Sequence, residues 1–312
     1  MLRLTFLGTA SSRPTVSRNV PALALKREGR TFLLDCGEGT QRQMMRYGVG
    51  FSLGDIFITH LHSDHYLGLA GLLRTMSLQG REEPLRIWAP RGAGEALRTL
   101  RDLGGDRLAF EAPVRELDAG EAVEGDGYRL VAFATDHTRA SIGYALIEDP
   151  RPGRFDVEAA LALGVPEGPL FGRLHRGESV ELDDGRRIRP ADLVGPPRPG
   201  RKLIYTGDTR PSPGTVEIAR QADLLVHEAT FSEDEARRAR ETGHSTAAGA
   251  ARVAAEADVR RLVLTHVSAR YAERPGRLIE EARAIFPRTE LARDGWSVEV
   301  RFVDAESGGQ AS

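Results

Sequence analysis

"ITHLHSDHYLG", residues 58–68, sets three histidines and one aspartate in six positions: His60, His62, Asp64 and His65. The residues leading into it, "DIFIT" (55–59), are short and apolar and read as a buried strand. A strand that ends in imidazole and carboxylate groups delivers them to one edge of a sheet, where residues distant in sequence can join them. Three more candidates stand in that position. His137 follows the strand-like "VAFAT", Asp208 follows "LIYTG", and His266 follows "LVLT". One histidine after a strand is ordinarily a structural residue. A cluster of this density, with three further groups at strand ends, is the pattern of a metal site.

Seven candidate ligands exceed what one tetrahedral zinc needs, because a catalytic ion keeps about three protein ligands and an open position. The excess points to two ions sharing a ligand. A carboxylate bridges two cations and an imidazole normally does not, so Asp208 is the natural bridge, with hydroxide as second bridge and nucleophile. Imidazole and carboxylate donors suit zinc, with manganese or iron also compatible. Cys36 is the sole cysteine, which excludes thiolate sites and intrachain disulfides and fits a reducing compartment.

The rest of the composition narrows the class. The 312 residues suffice for one large α/β domain, and a net charge of −2 supplies no global basic field for nucleic acid. Lys26 and Lys202 are the only lysines, so nearly all positive charge is arginine, as a codon bias would produce. "MLRLTFLGTASS" turns polar too soon for a signal peptide, and no apolar run reaches the ~20 residues of a membrane span. A soluble, cytoplasmic protein is expected.

Short strands and glycine turns fill the first half: "LRLTFLG", "PALALKREGRTFLLDCG", "LRIWAP" and "YRLVAFATDH". Leu69, Leu72, Leu73 and Met76 recur at helical spacing. In the second half "RKLIYTGDT", "ADLLVHEAT" and "RRLVLTHVS" are strands ending in Asp, His or Glu, with helices between. Between the halves, about 149–201 is rich in glycine and proline yet carries Phe155, Leu161, Leu163, Leu170, Phe171 and Leu174. That is too much apolar material for a plain linker, and an ordered, protruding arm is expected. "SVELDDGRRI" predicts a hairpin in it, turning at Asp184-Gly185. Residues 305–312 read as a frayed tail.

"THLHSDH" resembles the HxHxDH motif of the metallo-β-lactamase superfamily. The resemblance implies a four-layer αββα sandwich, here a single domain over 1–312 with the arm inserted. It also implies one zinc on His60, His62 and His137, a second on Asp64, His65 and His266, and Asp208 between them. Further segments cover nearly the whole chain: "LLDCGEGTQRQM" (33–44), "HEAT" (227–230), "HST" (244–246), "GPLFGRL" and "GPPRPGRKLIYTGDTR" (195–210). Together and in order they resemble the ribonuclease Z family of tRNA 3′-processing endoribonucleases.

That resemblance implies a precursor-tRNA substrate, a homodimer, and an arm on one subunit holding tRNA cut by the other. Two ions about 3.5–4 Å apart suit in-line displacement at phosphorus. The leaving ribose 3′-oxygen is poor and calls for a general acid. His244 is the candidate, with Glu228 as the carboxylate that keeps it charged, since a helix start alone disfavours imidazolium. Asp64 is a candidate proton acceptor as well as a ligand, and His227 reads as a buried core residue. In the arm, Arg173, His175, Arg176, Arg186, Arg187 and Arg189 are available for backbone phosphate; Arg18, Asn19 and Arg270 are candidate contacts outside it. "PTVSRN" (14–19) matches the family's PxKxRN loop except that Val16 replaces lysine, so discrimination against CCA-bearing precursors is in question. The competing expectations are a small-molecule phosphodiesterase or arylsulfatase, which would not need an arm, and a binding protein with a structural metal.

Overall fold

Side chains alternate along the strands of the chain, and the alternation sorts them into layers. The computed structural model describes residues 1–104, 107–271 and 274–302. Its strands are β1 (Leu2–Gly8), β2 (Ala22–Arg27), β3 (Arg30–Leu34), β4 (Asp55–Phe57), β5 (Arg86–Pro90), β6 (Val114–Leu117), β7 (Ala122–Gly125), β8 (Tyr128–Ala134), β9 (Ile142–Glu148), β10 (Val180–Glu181), β11 (Arg187–Ile188), β12 (Lys202–Tyr205), β13 (Leu224–Glu228), β14 (Leu262–Thr265), β15 (Thr289–Leu291) and β16 (Ser297–Val300). Two seven-stranded sheets form, ordered β16-β1-β2-β3-β4-β5-β6 and β15-β14-β13-β12-β9-β8-β7.

Leu2, Leu4 and Phe6 of β1 and Phe57 of β4 face Tyr144, Leu203, Tyr205 and Val226 of the other sheet in one shared core. The alternate residues point outward. Ala24, Leu33, Ile56 and Ile58 pack on Leu69, Leu72, Leu73 and Met76 of the helix Leu69–Leu78. On the opposite side Ile204, Leu225 and Leu264 pack on Ala250, Ala251 and Val253 of Ala247–Glu256 and on Leu278 of Gly276–Arg283. Three cores between four layers make the expected αββα sandwich. The buried tyrosines keep their hydroxyls satisfied: Tyr144 donates to the Ile58 carbonyl (2.7 Å) and Tyr205 to Asp35 Oδ2 (2.7 Å).

The parallel strands β12, β13 and β14 end together, as do β3 and β4. β4 stops at Phe57, short of the "DIFIT" reading, because the Thr59 N–H turns aside to Asp35 Oδ1 (2.8 Å). That bond steers the chain out of the sheet just before His60.

Glu148–Arg201, with Phe302, form a second compact unit. Ala160, Val165, Leu174, Val180, Ile188 and Leu193 make its own core, against which Phe155, Leu163, Leu170 and Phe171 pack. Leu161, read with these from sequence, points to solvent instead. Two helices, Val157–Ala162 capped by Asp156 and Pro169–His175 opened by proline, accompany the β10–β11 hairpin. The hairpin loop is longer than a two-residue turn: Gly185 alone takes positive φ (82°) and donates to the Leu182 carbonyl. Arg201 and Glu148 pair doubly within this unit, both bonds 2.7 Å. The 305–312 tail lies outside the described residues.

Candidate metal centre

The loops after β4, β8, β12 and β14 bring all seven predicted donors together. His60, His62, His137 and Asp208 form one set whose donor atoms lie within 4.8 Å of one another, and Asp64, His65 and His266 form another. Asp208 stands between them. Its Oδ2 is 3.7 Å from His60 Nε2, 3.7 Å from His137 Nε2 and 3.4 Å from His65 Nε2, while its Oδ1 is 3.2 Å from His266 Nε2. Asp64 Oδ2 lies 3.7 Å from His65 Nε2 and 3.5 Å from His266 Nε2. His62 is the exposed member, its Nδ1 3.0 Å from His137 Nε2, so the cluster meets solvent there.

Neighbouring groups fix the outer nitrogens of His65, His137 and His266. His65 Nδ1 donates to Asp35 Oδ2 (2.8 Å), and Asp35 also accepts from the Thr59 hydroxyl and Tyr205. His137 Nδ1 donates to the Gly243 carbonyl (2.7 Å). The Thr230 hydroxyl gives its proton to Glu228 Oε2 (2.6 Å) and therefore accepts from His266 Nδ1 (2.8 Å). With each Nδ1–H engaged, the Nε2 lone pairs of His65, His137 and His266 are turned inward, the arrangement that orients metal-binding imidazoles. Asp35 (φ 58°) and His266 (φ 59°) both hold left-handed backbone, uncommon for side chains of their kind.

The donor set fits a divalent ion on an independent observation. His60 Nε2, His65 Nε2, His266 Nε2 and Asp208 Oδ1 are buried with no hydrogen-bond partner. Orphaned polar atoms cost about 1–3 kcal/mol each, and four of them gathered around Asp208 are a donor set that a divalent ion would satisfy. Burial, reinforced by the charge of His65, holds His60 well below the usual imidazole range, leaving it neutral. Burial opposes the Asp208 charge, yet His266 and His65 hold it ionised well below the usual range. His65 moves the other way: burial disfavours its charge, but Asp208 and Asp35 raise it well above the ordinary value. Two flanking carboxylates favour positive charge at this position, a charge that a bound cation would supply at Nε2 in place of the proton.

His244 and Glu228 adjoin this cluster. His244 Nδ1 is 2.8 Å from Glu228 Oε1 and 3.9 Å from Asp208 Oδ2. Burial lowers the imidazolium, but the Glu228 charge and hydrogen bond outweigh it and push His244 up to about 9. Thr246 caps the following helix by accepting from the Gly249 N–H, while Ser245 donates to the Thr209 carbonyl, so the turn carrying His244 is tied at both ends. His227 is fully buried, its Nδ1 donating to the Glu228 carbonyl (2.8 Å).

The other predicted contacts are placed differently. Arg18 is buried, and its Nη1 donates to Thr9 Oγ1 (2.6 Å) and the Ala292 carbonyl (2.7 Å). Its Nη1 thus braces the loop that Arg18 belongs to, and Arg18 is placed in a buried position rather than on the exposed surface. Asn19 donates through Nδ2 to the Glu38 carbonyl (2.8 Å). Arg173 and Arg176 both lie near Glu178, at 2.9 and 3.6 Å. Arg270 is exposed, over the Phe231 ring. Sequence reasoning missed Asp35, Thr59, Tyr205 and Thr230, and also Ser12, whose N–H donates to Asp64 Oδ2 (2.7 Å). Asp35 stood inside the quoted "LLDCGEGT", but no spacing rule ties it to His65.

The anti-Pycsar protein Apyc1 family matches residues 2–151, and the beta-lactamase superfamily domain matches residues 180–267. The chain is 57% identical over 305 residues to ribonuclease Z of Gemmatimonas aurantiaca, covering 97% of each chain. To ribonuclease Z of Haloferax volcanii it is 53% identical, over 99% of this chain and 98% of that one. Among solved structures it is similar to human tRNase Z, short form, with a TM-score of 0.69 and 29% identity over 96% of this chain and 100% of that one. Four layers with a histidine–aspartate cluster at the strand ends define a hydrolase of the metallo-β-lactamase fold. The chain belongs to the ribonuclease Z family. It is a phosphodiester-cleaving endoribonuclease.

Proposed function

We propose that this protein removes the 3′ trailer from tRNA precursors in the cytoplasm, leaving a 3′-hydroxyl on the tRNA and a 5′-phosphate on the trailer. The observation that carries the reading is the His244–Glu228 pair, 2.8 Å apart and beside a seven-donor cluster. His60, His62 and His137 would hold one divalent ion, Asp64, His65 and His266 a second, and Asp208 both; zinc suits these donors. Ions so held supply Lewis acidity and activate water for attack on phosphorus. Everything else falls to the chain. Asp64, steadied by the Ser12 N–H, accepts a proton from the attacking water. His244, kept charged by Glu228, delivers one to the departing 3′-oxygen. Asp35, Thr59 and Thr230 hold the imidazoles in one tautomer throughout.

The second unit, with its own core and an arginine-bearing hairpin, is read as the tRNA-gripping arm. In a homodimer, one subunit's arm would serve its partner's site. The test is a tRNA precursor with a 3′ trailer, with and without an encoded CCA, supplied with zinc or manganese. A single cut near the discriminator nucleotide, giving the stated ends, is expected. No cut there, with a small chromogenic phosphodiester still hydrolysed, would overturn the tRNA reading in favour of a small-substrate phosphodiesterase.

A further inference from the structure

We propose that Arg238 and Arg270, each resting on the Phe231 ring beside His244, bind backbone phosphate of the RNA strand upstream of the cut; this rests on the endonuclease reading above. Phe231 is buried, and its backbone is locked to the turn that carries His244. Its N–H donates to the Ser245 carbonyl (3.2 Å) and its carbonyl accepts from the Ala247 N–H (2.9 Å). The Phe231 and His244 rings are 6.1 Å apart between centres. The Arg238 guanidinium carbon lies 6.0 Å from the Phe231 ring centre and that of Arg270 lies 5.7 Å from it. A guanidinium resting on a ring keeps its fork of N–H donors while losing little further freedom on binding an oxyanion.

The surrounding charges make these two arginines stand out. Acidic groups are plentiful here, and neighbouring arginines take them: Arg252 pairs with Glu233 (3.0 Å), Arg277 with Asp234 (3.1 Å) and Arg237 with Glu241 (3.8 Å). Glu235 accepts from the Tyr271 hydroxyl (2.6 Å) and stands 4.0 Å from Arg270. Arg238 has no ion pair among the described residues. Arg238, unpaired among those residues, and Arg270, held by Glu235 only at 4.0 Å, are thus exposed cations beside the reacting centre of an enzyme whose substrate is a polyanion.

The chemistry assigns them to one strand direction. Water oxygen bonds to phosphorus, the P–O3′ bond breaks, and the released 3′-oxygen takes a proton from His244. The nucleotide bearing that oxygen is the upstream one, so it sits on the His244 side. Phe231, Arg238 and Arg270 lie on that side too, and meet the strand that departs with the 3′-hydroxyl rather than the trailer.

The experiment compares the intact enzyme with R238A, R270A, R238K and R237A, the last removing the same charge from the same helix away from Phe231. Steady-state constants are measured on precursors with one-nucleotide and long trailers, binding is measured on mature tRNA ending in a 3′-hydroxyl, and a chromogenic phosphodiester serves as control. R238A and R270A are expected to raise KM about five- to tenfold for both trailers, with kcat and diester hydrolysis little changed. Mature-tRNA binding should weaken, with its salt slope falling by about 0.7–0.9 per lost phosphate contact. R238K should retain most of the affinity, and R237A all of it. KM unchanged in R238A and R270A, or raised only for the long trailer, overturns this inference alone. A wild-type enzyme that cleaves the diester but no tRNA precursor overturns the endonuclease reading, and this inference with it.

Discussion

Asp208 Oδ2 lies 3.4–3.9 Å from nitrogens of His60, His65, His137 and His244, so its removal strips both proposed ion sites at once. We expect D208A to bind fewer than two ions per subunit by elemental mass spectrometry; retained stoichiometry would refute the shared ligand. For His244 the sign runs from a raised value. With its pKa at about 9, the acid form is present through neutral pH and is lost as pH rises through that value; bound cations would bring the alkaline limb lower. In E228Q the charge that raises it is gone and burial prevails, so the limb should move toward or below the ordinary imidazole value of about 6.5. Loss of general-acid help should lower kcat about 100-fold or more at pH 8. A pH–rate profile identical to wild type would dissociate Glu228 from the acid. The seven donors were legible in sequence because metal chemistry admits few residue types and crowds them at strand ends. Asp35 was not, since aspartate in a glycine turn has many uses. Its role appears only when His65, Thr59 and Tyr205 fold around it.

The loop 14–19 is ordered by its own residues, with the Thr15 N–H donating to the Arg18 carbonyl and Asn19 tied to Asp294 (2.6 Å) and Glu38. Val16 sits fully exposed at its crest, 106% of the reference accessibility. A cation at that crest would be free to meet phosphate or base, which valine cannot do. V16K is therefore expected to change the ratio of cleavage rates on CCA-bearing and CCA-less precursors by several-fold, without altering stability by more than about 0.5 kcal/mol. An unchanged ratio would remove the crest from end discrimination. Sequence legibility was uneven at this scale. Strands with period-two patterning were readable, because burial of one face enforces the period. The end of β4 and the five-residue hairpin loop were not, because side-chain bonds to Asp35 and one left-handed glycine decide them. The burial of Arg18 was hidden for the same reason: a sequence shows a charge, and only packing shows which groups it braces.

Across the whole catalytic unit, three apolar cores hold four layers together while the polar centre lies at the strand ends. That division was foreseeable from alternation along the strands, but which groups brace the centre was not. It has a thermodynamic consequence. The cores do not depend on a metal, so chelation should leave the circular-dichroism spectrum intact. The proposed centre would depend on one, since Asp64 and four orphaned nitrogen or oxygen atoms, one of them on Asp208, are buried without other full compensation. Ions bound only by the folded chain stabilise it by about 2.7 kcal/mol per site at 100 times the dissociation constant. For a chain of this size that corresponds to a fall in Tm on chelation of about 5–10 °C. D35A should show a smaller fall on chelation, because its mispositioned His65 weakens metal affinity about 10–100-fold. Differential scanning calorimetry with and without chelator, on wild type and D35A, reads both quantities. Equal Tm with and without chelator in the wild type would mean that the seven donors hold no ion, and the proposed chemistry would fail with them.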